Sequence, residues 1–196
     1  MKDVHVRARI GAYRRLLQTG KATFSDMICE ERLLLALDQL HHYAHWITPV
    51  VLDVRFDTHF FIARHPIGQR AVADGTETTD GAWMTPQEAL KENLKQRITL
   101  SPPALIILEE LASCRESYDV FGSMKDKPPI VPIYVPLSEG YFVVFPWDPD
   151  YEDMEAGNME YPLDHGQLSL PTDRTTRVVY RNGRAFPYRK LRKEGQ

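Results

Sequence analysis

The sequence predicts an α/β fold, because helical and strand periodicities take turns along the chain. Apolar residues recur at helical spacing in the N-terminal stretch. Aromatic and β-branched residues alternate from Val51 to Ala63. Capped helices and a closing hairpin follow.

Val6, Ile10, Tyr13 and Leu17 stand four, three and four residues apart, one face of a first helix, with Lys2, Arg7, Arg9, Arg14 and Arg15 on its wet side. Gly20 suits its end, since glycine takes the left-handed cap conformation without strain. Thr23 and Asp26 have the spacing of a capping box and open a second helix. The apolar run Leu33 to Leu37 carries that helix to Leu40, and Pro49 closes the helical region. In the next segment Phe56, Thr58, Phe60 and Ile62 alternate with Asp57, His59, Phe61 and Ala63. Apolar side chains on both faces predict a strand covered on both sides.

A turn-rich stretch from His65 to Gly75 leads to a short strand over Glu77 to Trp83. Thr85, Pro86 and Glu88 then fit the N-cap, N1 and N3 positions of a helix that runs to about Asn93. Ser101-Pro102-Pro103 opens another, with Leu105, Leu108, Leu111 and Ala112 on one stripe. Nine of the 14 prolines lie between Pro128 and Pro187. Short strands fit Ile130–Val135 and Tyr141–Phe145. Arg177 to Phe186 reads as a hairpin around Asn182-Gly183, a pair that supplies the positive φ angles of a type I′ turn. The resulting division is a helical segment over 1–48, a mixed segment over 49–115 and a proline-rich β segment over 116–196.

With 43% apolar and 26% charged residues in 196, the chain can bury a core. A formal net charge of -3 argues against a nucleic-acid partner. No apolar run approaches the roughly 20 residues of a membrane helix. Met1 is followed by charged residues and no apolar leader, and Cys29 and Cys114 lack metal-ligand spacing. A cytoplasmic protein with no membrane partner is expected.

Three constellations could carry chemistry. His41, His42 and His45 cluster, and on a helix His41 and His45 would share a face as zinc ligands can, although packing near a helix end is the favoured reading. Asp148, Asp150, Glu152, Asp153 and Glu155 form an acidic run. Counted from Asp148, its sixth and twelfth positions hold Asp153 and Met159 instead of the Gly and Glu of a calcium loop, so a solvated loop is expected. Glu88 and Glu92 lie four apart on one short helix, but Glu88 has a capping role and Glu92 stands among lysines. Nucleophile-elbow, Walker and dinucleotide-binding motifs are absent from the sequence.

Three stretches in order, His45-Trp-Ile-Thr-Pro49, Arg55-Phe-Asp-Thr-His-Phe-Phe-Ile-Ala63 and Glu77 to Leu90, together resemble the Nudix hydrolases, most closely the coenzyme A diphosphatase branch. The likeness runs from about Arg9 to Ala112. Phe145-Pro-Trp-Asp-Pro149 and Arg177-Val-Val-Tyr-Arg-Asn-Gly183 are similar to that branch's C-terminal extension. His59 stands where the family usually has Arg, and Ala104 where it often has Thr. The resemblance implies a partial Nudix-like α/β/α sandwich. Residues 1–48 would be its inserted N-terminal helical segment, 49–115 the C-terminal half of its core, and 116–196 a small C-terminal β extension.

The resemblance also implies cleavage of a diphosphate bond in coenzyme A, an acyl-coenzyme A or a related nucleoside diphosphate, with Mg2+ or Mn2+ as cofactor. The family's signature is a Gly, a Glu six residues later, and an Arg-Glu-x-x-Glu-Glu helix whose carboxylates share a face and grip the ion. No glycine in this chain has a Glu six positions on, and Glu30-Glu31 and Glu109-Glu110 lack the leading Arg-Glu and the third carboxylate. The signature would precede Met1. The chain is therefore expected to be incomplete and inactive by itself, with no tightly bound metal; the alternative is a non-catalytic Nudix-derived binding or dimerisation module. Glu77 is the one weak catalytic candidate, because Nudix enzymes sometimes recruit a loop Glu from outside the signature. A homo-oligomer, or a partner carrying the missing half, would cover the strand Phe56–Ala63.

Overall fold

The computed structural model describes residues 2–73, 75–76, 78–114, 120, 128–158, 167–168 and 174–190, with backbone alone for 2–7 and 167–168. The chain divides into two compact units, Met1–Leu40 and His41–Gln196.

In the first unit α1 (Lys2–Gln18) ends before Gly20, whose φ of +65° makes the turn, and α2 (Phe24–Glu30) begins at the Thr23–Asp26 capping box. Arg9 on α1 holds Glu31 at 2.8 Å. The second helix is shorter than its apolar pattern suggests. Arg32 turns to φ +50°, and the Arg32 and Leu33 amides donate to the Cys29 and Ile28 carbonyls, which closes the helix in a Schellman motif. The apolar run to Leu40 is not a helical core face: Leu34, Leu35 and Leu37 are exposed, and only Leu37–Gln39 forms a 3-10 turn.

The second unit opens with β1 (His41–Ile47), where a helix was expected. Tyr43, His45, Trp46 and Ile47 supply the aromatic and β-branched groups that suit a pleated surface, and β2 (Asp57–Ile62) supplies the long-range partner. The two strands pair antiparallel as a ribbon. A β-bulge between His42 and Ala44 sends both Tyr43 and Ala44 into the core. The expected double cover of β2 is not observed. Asp57, His59 and Phe61 are exposed while Thr58, Phe60 and Ile62 face inward, and the outer edge of β2 is unpaired among the described residues. The short strand expected up to Trp83 is absent over residues 78–83, where Asp80 accepts from the Gly81 amide and Thr78 from the Gly75 amide in turn-like bonds.

Helix α3 (Pro86–Leu94) carries the predicted box, with the Thr85 hydroxyl accepting from the Glu88 amide and the Glu88 carboxylate accepting from the Thr85 amide. Helix α4 (Pro102–Ser113) starts at the predicted Ser101 cap and buries Leu105 and Ile106. The remaining strands, β3 (Ile133–Leu137), β4 (Gly140–Val144), β5 (Gln167–Leu168), β6 (Arg177–Arg181) and β7 (Arg184–Arg189), form one antiparallel sheet in the order β3-β4-β6-β7-β5. The β6–β7 turn is the predicted one, with Asn182 at φ +50° and Gly183 at +71°. At the β3–β4 turn only glycine fits position 140, since a Cβ there would meet the Tyr180 carbonyl oxygen at 1.8 Å.

Ribbon, helices and sheet share one core. Tyr43, Trp46, Leu90, Leu105, Val143, Phe145 and Val178 are among its buried residues, with the Trp46 and Phe145 rings edge to face. Ile130 bridges to Trp46 in parallel and leads the chain into β3. The far face of the sheet packs Phe142, Val144 and Val179 beneath Tyr151 and Met154 of α5 (Tyr151–Glu155).

Candidate functional site

The inward face of the ribbon walls a cleft of about 260 Å3. Trp46, Thr58 and Phe60 form one side, Ser101 to Pro103 at the start of α4 another, and Pro132 and Tyr134 the third. Its rim is held by a tight loop: the Thr48 amide donates to the Phe56 carbonyl, and the Phe56 amide donates back to the Thr48 hydroxyl at 3.1 Å. The volume lies just under the roughly 300–1,000 Å3 of drug-sized ligand sites, so it has room for part of a larger ligand. Trp46 is 4% exposed, and its indole N–H has no hydrogen-bond partner among the described residues.

The carboxylates singled out in the sequence are committed elsewhere. Glu30 accepts from the Tyr13 hydroxyl, and Glu31 is held below the ordinary carboxylate range by its hydrogen bond from Arg9. Glu88 is lowered by the Thr85 amide it caps, and Glu92 by its hydrogen bond from Arg97. Glu109 accepts from the Thr175 amide and hydroxyl, while Glu110 takes the Tyr43 hydroxyl at 3.0 Å. Burial, then Glu110, pushes the Tyr43 phenol up. Glu77 lies outside the described residues.

The acidic run is not the solvated loop its composition suggested. Asp148 and Asp150 are 4% and 8% exposed and face the fully buried Arg177, whose Nε donates to Asp148 at 2.8 Å and whose Nη2 donates to Asp150 at 3.0 Å. Lys190 adds a bond to Asp150 at 2.6 Å. The partners lie 27 to 40 residues further along the chain, which no local composition reveals. Glu152, Asp153 and Glu155 are exposed as expected. Among the described residues no three carboxylates converge, so the oxygen-only set that Mg2+ prefers is not assembled and no step through that ion follows from these residues.

The histidines are brought together on a strand and not on a helix. The bulge puts His42 on the outward face with His45. His45 stands opposite His59 and diagonal to Asp57. His45 Nε2 lies 2.5 Å from Asp57 Oδ1, His59 Nε2 lies 3.7 Å from the same oxygen, and His42 Nε2 lies 3.0 Å from His59 Nδ1. The His45 and His59 rings stack with centroids 4.0 Å apart. His41 is not in this group. Asp57 and His59 escaped notice as site residues, although residues two apart on a strand must share a face.

A family model described as the NUDT19 Nudix domain matches residues 2–111, more than half of the chain. The chain belongs to this Nudix family. The match takes in the ribbon, α3 and α4, and thus most of the cleft. An acyl-coenzyme A diphosphatase NUDT19 from Xenopus laevis is 31% identical over 107 residues, covering 53% of this chain and 28% of the relative. The Gallus gallus protein of the same name is 22% identical over 192 residues, covering 91% of this chain and 49% of the relative. This Nudix chain thus spans about half the length, or less, of these relatives. No solved structure matches it significantly. Within the described residues no helix is long and apolar enough to cross a membrane.

Proposed function

We propose that this Nudix chain is the ligand-holding part of a diphosphatase for coenzyme A, an acyl-coenzyme A or a related nucleoside diphosphate, and that the ligand seats in the cleft beside Trp46. The observation that carries the reading is the cleft itself, a slot walled largely by apolar side chains and built mainly by residues that match the family. The names of the two relatives support the substrate class.

Hydrolysis needs the metal-gripping carboxylate helix, and no glycine in these 196 residues has a Glu six positions on. Calorimetry with coenzyme A and an acyl-coenzyme A, with Mg2+ or Mn2+ present, is expected to show binding without turnover, and Phe60→Ser is expected to weaken it. Absence of binding to either ligand sinks the cleft assignment; diphosphate cleavage by this chain sinks the claim that it lacks its own metal site.

That same missing signature favours a second reading, a non-catalytic binding or dimerisation module. A fragment bearing the Gly-x5-Glu and Arg-Glu-x-x-Glu-Glu signature, added in trans, restores cleavage under the first reading and not under the second. The outer edge of β2, unpaired among the described residues and with Phe61 exposed beside it, is where such a fragment or a second copy would add a strand. Light scattering is expected to show association, and a monodisperse, cooperatively melting monomer counts against it. The setting assigned is the cytoplasm, in keeping with the two free cysteines.

A further inference from the structure

The geometry points to a transition-metal site on the outward face of the ribbon, formed by His45, Asp57 and His59 and selective for Zn2+-class dications over Mg2+. It lies on the opposite face of the ribbon from the cleft and is independent of the function proposed for it.

One ligand atom from each of the three residues falls within 4.8 Å of the other two. A tetrahedral Zn2+ with bonds of about 2.0–2.1 Å holds its ligand atoms about 3.3 Å apart. Admitting the ion would open the 2.5 Å His45–Asp57 pair and draw in the 3.7 Å His59–Asp57 pair, each by less than about 1 Å. The stacked His45 and His59 rings must turn so that both in-plane Nε2 lone pairs meet at the ion, while strand pairing fixes the backbone: His45 and His59 are direct cross-strand neighbours and Asp57 is the diagonal one.

The donor chemistry selects the ion. Two imidazole nitrogens and one carboxylate oxygen suit Zn2+, Ni2+ and Cu2+; Mg2+ and Ca2+ demand oxygen ligands. His42 completes the arrangement from outside. With its Nδ1–H donating to His42 Nε2, His59 keeps its Nε2 lone pair for the metal, the outer-shell role that orients ligating histidines. The β-bulge is what makes this possible, since unbroken alternation from His45 would put Tyr43 on this face in place of His42. The side chains of Asp57 and His59 are 65% and 48% exposed, which leaves an entry path and a coordination position for water.

The test uses the full chain without an affinity tag, stripped by chelator and titrated with Zn2+ against a chromophoric competitor. One equivalent is expected to bind and to resist millimolar Mg2+. His45→Ala and His59→Ala are each expected to abolish that equivalent, and His42→Ala to weaken it about tenfold. His65→Ala, outside the cluster, should leave it intact. Co2+ bound at the same site should give visible d–d absorption that vanishes in His59→Ala. Circular dichroism confirms that each variant folds, since these side chains lie on the outward face. No saturable binding, or one equivalent that survives both His45→Ala and His59→Ala in folded protein, overturns the site.

Discussion

In the five-stranded sheet, β4 presents Phe142, Val143 and Val144 with no solvent exposure on either face, whereas in the ribbon every second residue of β2 is exposed. The sheet is covered by the ribbon and helices on one side and by α5 on the other, so both side-chain sets of β4 are apolar. The ribbon is anchored by one face alone, through Tyr43, Ala44 and Trp46. Its other face is free to carry His42, His45, Asp57 and His59. The residues matching the family model end at 111, before the sheet begins. The matched segment thus carries most of the cleft, while the fully buried strand β4 lies outside it. Stability and ligand chemistry have been assigned to different sheets, and substitutions in the two should differ accordingly.

The largest effect is expected at Arg177. Its side chain is wholly buried between Asp148 and Asp150, so Arg177→Ala leaves Asp148 out of water without its cation and Asp150 with Lys190 alone. Removing one partner of such a group costs about 3–5 kcal/mol. Urea unfolding should show a lower midpoint at unchanged slope. A loss of under about 1 kcal/mol would mean that the sheet does not depend on this network.

Asp150 tests the same network through pH. Burial raises its pKa, but hydrogen bonds from Lys190 and Arg177 outweigh that and hold it below the ordinary 3.8. A carboxylate lowered in the folded state stabilises the fold above its unfolded pKa, and the contribution fades as pH falls through the folded value. Asp150→Asn is therefore expected to cost about 2 kcal/mol near neutral pH, the scale of a hydrogen bond to a charged group. The gap to the wild type should close in unfolding curves taken below pH 3.8. A gap that is constant from pH 7 to 3 would show that Asp150 acts by packing and not by charge.

Such long-range pairings mark the limit of what the sequence reveals. The Thr85–Glu88 box, the Ser101 cap and the Asn182-Gly183 turn were legible because each is closed by bonds or φ angles within four residues. His41–Ile47 was not, because a strand needs a partner and its partner lies beyond a loop, while the Leu33–Leu40 run just before it imitates a helical stripe. The acidic run was misread for want of Arg177. The histidine site was half visible: His42 and His45 stood out, but placing them beside Asp57 and His59 required both the strand register and a one-residue bulge.

The joint between helix α3 and the sheet ranks next. Asn93 on α3 is 4% exposed, donates to the Ala185 carbonyl of β7 at 3.3 Å and accepts from the Leu100 amide at 3.1 Å. Asn93→Ala strands both backbone groups in the interior and is expected to cost about 1–2 kcal/mol. Hydrogen exchange at Leu100 and along β7 should quicken together, since one side chain serves both. If only the Leu100 amide responds, α3 and the sheet are coupled through apolar packing alone.

The smallest effect is expected at Phe61, and it separates the two sheets most sharply. This phenylalanine is 55% exposed on the outward face of β2, opposite His42 and 5.5 Å from its ring. Phe61→Thr replaces one good strand former by another at a half-exposed position, where substitutions stay within about 0.5 kcal/mol. The melting temperature of dilute protein should hardly move. Association, by contrast, should weaken, because the substitution removes apolar surface beside the open strand edge. A fall in stability comparable to that of Asn93→Ala would mean that the outward face of the ribbon is packed in solution, and the division between a closed sheet and an open ribbon would have to be withdrawn.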